Sequence, residues 1–143
     1  MLEQFTDHLR LQFPELFGTK NLLAISGGMD SVVLADLLKI NQIDFSFAHC
    51  NFQLRGDESE KDETFVKELA KKYSLTCFTQ KFDTDQYAID NRLSTQMAAR
   101  DLRYNWFKDL IETKKLDYVI TAHHADDELE TFFIHFLRGS GLD

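Results

Sequence analysis

The chain is predicted to be an α/β domain in which helices cover both faces of a parallel sheet. Two observations predict this. Short apolar runs of strand length alternate with stretches of helical periodicity along the chain, the pattern of successive βαβ units. The 143 residues also contain no repeat, low-complexity tract or Pro/Ser-rich linker, so they suit a single unit, 1–143, large enough to bury a core without disulfides or metals.

The elements follow in order. Leu2, Phe5, Leu9 and Phe13 recur at helical spacing, and Pro14 stops that helix. Asn21 to Ile25 reads as a buried strand that runs into a glycine pair, and Val32 to Leu38 reads as the helix beyond it. Asp44 to His49 is a second strand. Asp57 followed by Glu60 resembles a capping box and opens a helix whose apolar positions are Phe65, Val66, Leu69, Ala70 and Tyr73. Leu75 to Lys81 is a third strand, and residues 83–93 are polar and irregular, an expected loop over the site. Ser94 or Thr95 caps a helix through Ile111, and Asp117 to Ala122 is a fourth strand. Leu129, Phe132, Phe133, Phe136 and Leu137 form an i, i+3, i+4, i+7, i+8 stripe that predicts a last helix, ending at Gly139.

Composition removes several function classes. No apolar run is long enough for a membrane span, and Met1-Leu2-Glu3-Gln4-Phe5 lacks the basic and apolar regions of a signal peptide. Cys50 and Cys77 belong to no CxxC pair, which argues against a zinc knuckle, an iron–sulfur site or a thioredoxin-like motif. A reducing, cytoplasmic setting fits these features. The net charge of −8 tells against a general nucleic-acid binder, although it leaves room for an RNA enzyme whose basic surface is local or lies on another domain.

Ser26-Gly27-Gly28-Met29-Asp30-Ser31 sits between the first strand and its helix. Paired glycines let backbone N–H groups approach an oxyanion, the helix N-terminus adds partial positive charge, and two hydroxyls can bond phosphate oxygens. Asp30 fits beside phosphate once Mg²⁺ is included, as a metal ligand directly or through water. No Gly-Lys-Ser/Thr follows, so this is not a Walker A loop, and it is not GxGxxG. A plain βα turn would explain Gly-Gly alone; it does not explain all six residues in this setting.

The loop resembles the SGGxDS signature of the PP-loop ATP pyrophosphatases, which implies a Rossmann-like PP-loop fold and cleavage of ATP to AMP and pyrophosphate. Three further segments resemble one branch of that group, the tRNA(Ile)-lysidine synthetases. His49-Cys50-Asn51-Phe52-Gln53-Leu54-Arg55 is similar to "HVNHGLR", departing at Cys50, Phe52 and Gln53. Gln96 to Tyr104, with Arg100 and Arg103 on one helix face, is similar to "QxxARxxRY". Ala122-His123-His124-Ala125-Asp126-Asp127-Glu128-Leu129-Glu130-Thr131 matches "AHHxDDxxET". Leu137-Arg138-Gly139-Ser140-Gly141 also resembles the start of a glycine-rich stretch of that family, so the likeness runs from Leu22 to Leu142.

Each segment also has a bland reading. His49 could be a strand-end residue satisfied by backbone, the arginines a surface pair, and Asp126, Asp127 and Glu128 acids that favour a helix N-terminus. A structural zinc at the His-His-x-Asp-Asp cluster is disfavoured, because adjacent histidines on a strand point to opposite faces.

The resemblance implies that this is the N-terminal catalytic domain of a longer enzyme, whose C-terminal tRNA-binding domains are absent from this chain. It implies ATP and Mg²⁺ as cofactors. It implies a CAU-anticodon tRNA(Ile) and L-lysine as partners, with no membrane, and it leaves a homodimer open. The implied site comprises Ala24, Ser26, Gly27, Gly28, Met29, Asp30, Ser31, His49 and His123 for the nucleotide. Asp30, Asp126, Asp127 and Arg100 are the implied catalytic groups, with Asp30 also the candidate Mg²⁺ ligand. Arg103, Arg55 and Glu130 are the candidates for tRNA or lysine. Phe52, Tyr87 and Tyr104 are candidate stacking partners for a flipped base, and Asp36 reads more simply as an ordinary helix acid. Three alternatives stay open: a PP-loop tRNA thiolase, a PP-loop amide synthetase, and a nucleotide-binding module without catalysis.

Overall fold

The computed structural model describes residues 2–125 and 128–138; for Leu2 and for residues beyond Thr121 only the backbone course is described. Helix α1 (Leu2–Gln12) and a short 3-10 turn at Pro14–Leu16 precede strand β1 (Asn21–Ala24). There follow α2 (Met29–Ile40), β2 (Phe45–Asn51), α3 (Asp57–Tyr73), β3 (Cys77–Lys81), α4 (Thr84–Asn91), α5 (Thr95–Lys114), β4 (Tyr118–Ala125) and β5 (Glu128–Arg138).

The sheet order is β3-β2-β1-β4-β5, and the first four strands run parallel. The chain steps outward from β1 to β3, then returns through α4 and α5 to place β4 on the other side of β1. That reversal makes the C-terminal end of β1 a topological switch point, where an open α/β sheet leaves a crevice.

Alternating side chains of the central strands feed two cores. Leu23 of β1, Phe45 and Phe47 of β2 and Ile120 of β4 are buried with Leu9 of α1, Leu34 and Leu38 of α2 and Val66 of α3. Leu22, Ala48 and Val119 point the other way and are buried with Phe107, Leu110 and Ile111 of α5. Helices thus cover both faces, as the alternation predicts. Asn21 is buried at the start of β1 because its side-chain amide donates to the carbonyls of Leu16, Thr19 and Asp44 at 3.2, 3.2 and 3.0 Å. Those bonds tie the entry of β1 to the entry of β2.

Three elements differ from the sequence expectation. The apolar stripe from Leu129 to Leu137 is not helical: residues 128–138 form β5, antiparallel to β4, with Ile120 opposite Phe136 and His123 opposite Phe133. Thr131-Phe132-Phe133-Ile134-His135-Phe136 is dense in β-branched and aromatic residues, and in so apolar a run helical spacing cannot discriminate. Pairing with β4 also supplies backbone partners that an edge strand lacks. The helix end expected at Gly139 lies outside the described residues.

Residues 83–93, expected as a loop, contain α4. Asp83 caps it by accepting from the Gln86 N–H at 3.2 Å, and Arg92 ends it in the left-handed region. With only Thr84 and Ala88 buried, this helix has no apolar stripe for periodicity to detect. The Asp57–Glu60 capping box does not form either. Gly56, at φ +53°, takes the N-cap, and Glu60 accepts instead from Asn51 and from Lys81.

Phe47 is fully buried at the centre of the larger core. Truncation there removes a whole ring from a packed interior, so Phe47→Ala is expected to cost ~3–5 kcal/mol, read as a lower urea midpoint with an unchanged slope.

Candidate nucleotide and substrate cleft

The loop after β1 is shaped by one backbone requirement. The chain must turn sharply from strand to helix, and Gly27 does so at φ +89°, in the region that L side chains avoid. The turn then closes on itself through its hydroxyls. Ser31 Oγ donates to the Gly28 carbonyl at 3.1 Å, the Ser26 N–H donates to Ser31 Oγ at 3.3 Å, and the Gly28 N–H donates to Ser26 Oγ at 3.2 Å. Ser31 is buried and Ser26 exposed, so one hydroxyl braces the loop while the other stands at its surface. Gly28 is the N-cap of α2 with no capping side chain, which leaves Met29, Asp30 and Ser31 as the first turn. The arrangement suits an anion held by backbone N–H groups at a helix N-terminus. The Met29 side chain is 75% exposed, so its part in the loop is played by its backbone.

A cleft of about 480 Å³ opens beside this loop at the C-terminal ends of β1, β2 and β4. Ala24, Ile25 and Ser26 form one wall, His49 to Phe52 with Leu54 and Arg55 another, and Arg103, Tyr104 and Phe107 of α5 a third. Thr121 of β4 completes it. Segments separated by up to about a hundred residues therefore meet at the switch point.

His49 is 3% exposed. Its Nδ1 lies 2.8 Å from the Ile25 carbonyl, so it carries the proton and donates. Its Nε2 is buried without a hydrogen-bond partner. The neighbouring Cys50 thiol is pushed up to about 12 by burial, against the lowering effect of the Arg103 guanidinium that contacts it. Arg103 also lies over the Phe52 ring at 5.4 Å, and Phe52 stacks on Phe82 at 5.7 Å, so the cleft has a cationic and aromatic side.

Charge beside the loop is managed in pairs. A Cβ built on Gly27 would lie 3.4 Å from the Asp62 side chain, so this carboxylate stands directly against the anion loop. Alone it would repel phosphate; Arg55, reaching from the β2–α3 connection, forms an ion pair with it. Behind them Asn51 donates to Glu60 and, at 3.2 Å, to Glu63. Burial pushes the Glu63 carboxyl up, but hydrogen bonds from Lys67 and Asn51 outweigh it and hold the group below its ordinary value. Asp62, Ser59 and Asn51 belong to the cleft wall, yet the sequence reading singled out none of them for the site. For Asn51 the available signal was its match within the 49–55 segment, and for Asp62 its spacing from Arg55 across the start of a helix.

The other expected residues divide. Arg103, Phe52 and Tyr104 line the cleft. Arg100 is not among the lining residues; it is exposed, with its guanidinium over the Tyr104 ring at 5.0 Å, one helical turn along α5. Tyr87 of α4 is likewise not in the wall. Asp36 faces α3, where it accepts from Tyr73 Oη at 3.3 Å. His123 and Glu130 fall in β4 and β5, so the strand does carry the His-His pair to its C-terminal end. Glu128 also lies in β5, and the helix-dipole reading of the acids does not apply to it. Asp126 and Asp127 lie outside the described residues. Among the described residues, no three His, Cys, Asp or Glu side chains cluster as metal ligands. Asp30 lies in the first turn of α2 beside the anion loop, a carboxylate chemically suited to a Mg²⁺. No described helix is long and apolar enough to cross a membrane.

The sequence model of the PP-loop domain matches residues 1–143. Curated relatives include the tRNA(Ile)-lysidine synthases of Bacteroides thetaiotaomicron, 46% identical over 86% of this chain and 29% of that protein, and of Porphyromonas gingivalis, 44% identical over 85% and 27%. That of Chlorobaculum tepidum is 33% identical over 98% of this chain and 44% of its own length. The chain thus spans about three tenths of the length of the first two. Among solved structures, an NH3-dependent NAD synthetase from Campylobacter jejuni superposes with a TM-score of 0.60 at 16% identity, covering 84% of this chain and 53% of that one. An NMN synthetase from Francisella tularensis gives 0.59 at 14%, covering 84% and 51%. These two likenesses concern the fold.

Two measurements check the site's physical description. Gly27→Ala is expected to destabilise the fold by ~1–2 kcal/mol in thermal melts, because a Cβ disfavours positive φ. Cys50 is expected to alkylate far more slowly than a free thiol at about pH 8.5 in the folded protein and at the ordinary rate in urea, read by intact mass, because its thiolate fraction is small below a pKa of about 12.

Proposed function

Because the chain belongs to the PP-loop domain family, we propose that its cleft binds ATP and that the protein is a tRNA(Ile)-lysidine synthase. In this reading residues 1–143 are the N-terminal ATP pyrophosphatase domain, acting in the cytoplasm beside further domains that hold tRNA. The observation that carries the reading is the convergence on one cleft of Ser26 at the start of the loop, His49 to Phe52 with Leu54 and Arg55, Arg103 of α5 and Thr121 at the start of the 121–131 motif. The curated relatives named tRNA(Ile)-lysidine synthase support the choice of substrate.

The reaction links L-lysine to C2 of the wobble cytidine in a CAU-anticodon tRNA(Ile). The cytidine C2 oxygen attacks the α-phosphorus of ATP and pyrophosphate leaves. The lysine ε-amine then attacks C2, and AMP leaves with the oxygen. The product base pairs with A instead of G.

Each step makes a demand that this chain's residues can meet. Pyrophosphate leaves only if its growing charge is held, and the N–H groups of the first turn of α2 with the Ser26 hydroxyl are suited to hold it. Mg²⁺ held by Asp30 would supply further charge neutralisation there. The Arg55–Asp62 pair keeps a net neutral environment at the loop while leaving a guanidinium at the cleft wall. Arg103 and Phe52 offer a cation and a ring to a base displaced from its stack. The lysine amine must lose a proton before it attacks, and Asp126 and Asp127 are the proposed acceptors, with Glu130 and Arg100 proposed for lysine or phosphate contact. His123 is proposed for the nucleotide.

A thiolase reading is disfavoured by the cysteines. Cys50 stands opposite Gln80 and Cys77 opposite Phe47, so the two are not cross-strand partners, and burial raises both thiols.

The deciding assay combines the protein, alone and extended with its further domains, with Mg²⁺, ATP, labelled lysine and transcribed CAU-anticodon tRNA(Ile). Label in the RNA with equimolar pyrophosphate is the expected outcome, and Asp30→Ala is expected to lower pyrophosphate release by at least ~10²-fold. Pyrophosphate without lysine transfer would move the substrate to another PP-loop reaction. ATP that binds and is never cleaved by the extended protein would favour the non-catalytic module.

A further inference from the structure

We propose that Asp62 limits how tightly the loop at 26–31 holds phosphate, so that pyrophosphate is released once ATP is cleaved, and that Arg55 sets the strength of that limit by pairing with it. This deepens the reading of the cleft as an ATP site and rests on it.

Among the described residues the cleft wall holds one carboxylate, Asp62. Helix α3 brings it against the anion loop, where a Cβ on Gly27 would lie 3.4 Å from its Cβ, Cγ and Oδ1. The helix does not need this acid: Asp57, Glu58 and Glu60 already oppose the dipole in its first turn, and Asp62 lies beyond that turn. The ion pair with Arg55 adds little to the fold either, because the two side chains are 64% and 29% exposed. The other acids of this face are engaged away from the loop, Glu60 by Lys81 and Glu63 by Lys67, both with Asn51. An acid that serves neither its helix nor the core, set against a loop built for anions, acts on whatever anion the loop holds.

The pair is neutral as a whole, but its charges are not equivalent. Oδ2 takes the Arg55 guanidinium, while Oδ1 is the oxygen nearest Gly27. An anion on the loop therefore meets the carboxylate across Gly27, and the guanidinium, largely in solvent, offsets it only in part.

ATP and pyrophosphate load the loop differently. When the bond from the α-phosphorus to the bridging oxygen breaks, the electron pair stays on that oxygen, and pyrophosphate holds an added negative charge at the same place. Pyrophosphate also lacks the nucleoside that helps to hold ATP in the cleft. Backbone N–H groups at a helix N-terminus attract both anions and favour the more highly charged one. A carboxylate at short range opposes the more highly charged one more strongly, so its presence moves the balance toward release of the product.

The test is titration calorimetry with pyrophosphate and with ATP, each with Mg²⁺, on the unmutated protein, Asp62→Asn, Arg55→Gln and the double variant, with folds verified by thermal melts. Asp62→Asn is expected to bind pyrophosphate about tenfold more tightly and ATP only about threefold more tightly. Arg55→Gln is expected to bind pyrophosphate about tenfold more weakly, and the double variant to return to within about threefold of the unmutated protein. The opposite signs are the discriminating readout, because a pair that merely shaped the loop would weaken binding when either partner is lost. Should Asp62→Asn fail to fold, Asp62→Ser removes the same charge and carries the same expectation. Pyrophosphate bound equally or more weakly by the folded Asp62 variant would overturn the inference while leaving ATP binding intact. An unmutated protein that binds neither ATP nor pyrophosphate would overturn the nucleotide reading and this inference with it.

Discussion

The turn at the end of β1 is the constraint on which the rest of the site depends. The strand is buried on both faces and pinned at its start by Asn21, so its C-terminal end has a fixed position in the sheet. From there the chain must reverse into α2, whose buried face packs under the same sheet. Only a residue without Cβ makes that turn readily at φ +89°, and Gly27 does. Once the turn is set, the first N–H groups of α2, the Ser26 and Ser31 hydroxyls and the Ile25 carbonyl have no freedom left. Anion binding, the loop's internal bonds and the orientation of His49 all descend from one backbone angle.

A second feature is how an acidic chain surrounds an anion site. The net charge is −8, and carboxylates stand close to the loop. The carboxylates around Asn51 and Gly27 are paired. Asp62 is met by Arg55, Glu60 by Lys81 and Asn51, and Glu63 by Lys67 and Asn51. Burial and hydrogen bonding do not make these pairs strong stabilisers, since most of their members are substantially exposed. Their effect is on the field at the loop, where an unpaired carboxylate would oppose phosphate at short range. The Arg55–Asp62 pair also ties the β2–α3 connection to α3, with Arg55 at the cleft wall.

The site was more legible than the fold's periphery, and for a physical reason. Ser26, His49 and Arg103, expected from the motifs, line the cleft, and the loop at 26–31 is readable because a sharp strand–helix turn demands particular residue types in a particular order. Strands β1, β2 and β4 are readable because burial on both faces demands continuous apolar runs. The misread segments lack such a demand. Helix α4 is held by an Asp cap and by tethers such as Thr84 to the Phe52 carbonyl at 2.8 Å, none of which leaves an apolar period. The segment 128–138 is apolar at too many positions for a period to decide, and a partner strand decided it. Asp62, Asn51 and Ser59 looked like ordinary helix and strand-end polar residues, because their place in the cleft depends on how α3 docks across β2.

What the sequence by itself determined was local: the chemistry of the anion loop, the alternation that makes a parallel sheet, and the residue types of the motifs. Each follows from interactions between residues close in the chain, or from a single side chain's cost of exposure. What only the tertiary structure decided was the company those residues keep. It brought His49 against the Ile25 carbonyl, set Asp62 against Gly27 and left Nε2 of His49 without a partner. These are contacts between segments 24 to about 35 residues apart in the first two cases, and they depend on crossover handedness, strand order and helix docking. No pattern of neighbouring residues encodes such contacts, because they are fixed only when the whole sheet closes its two cores.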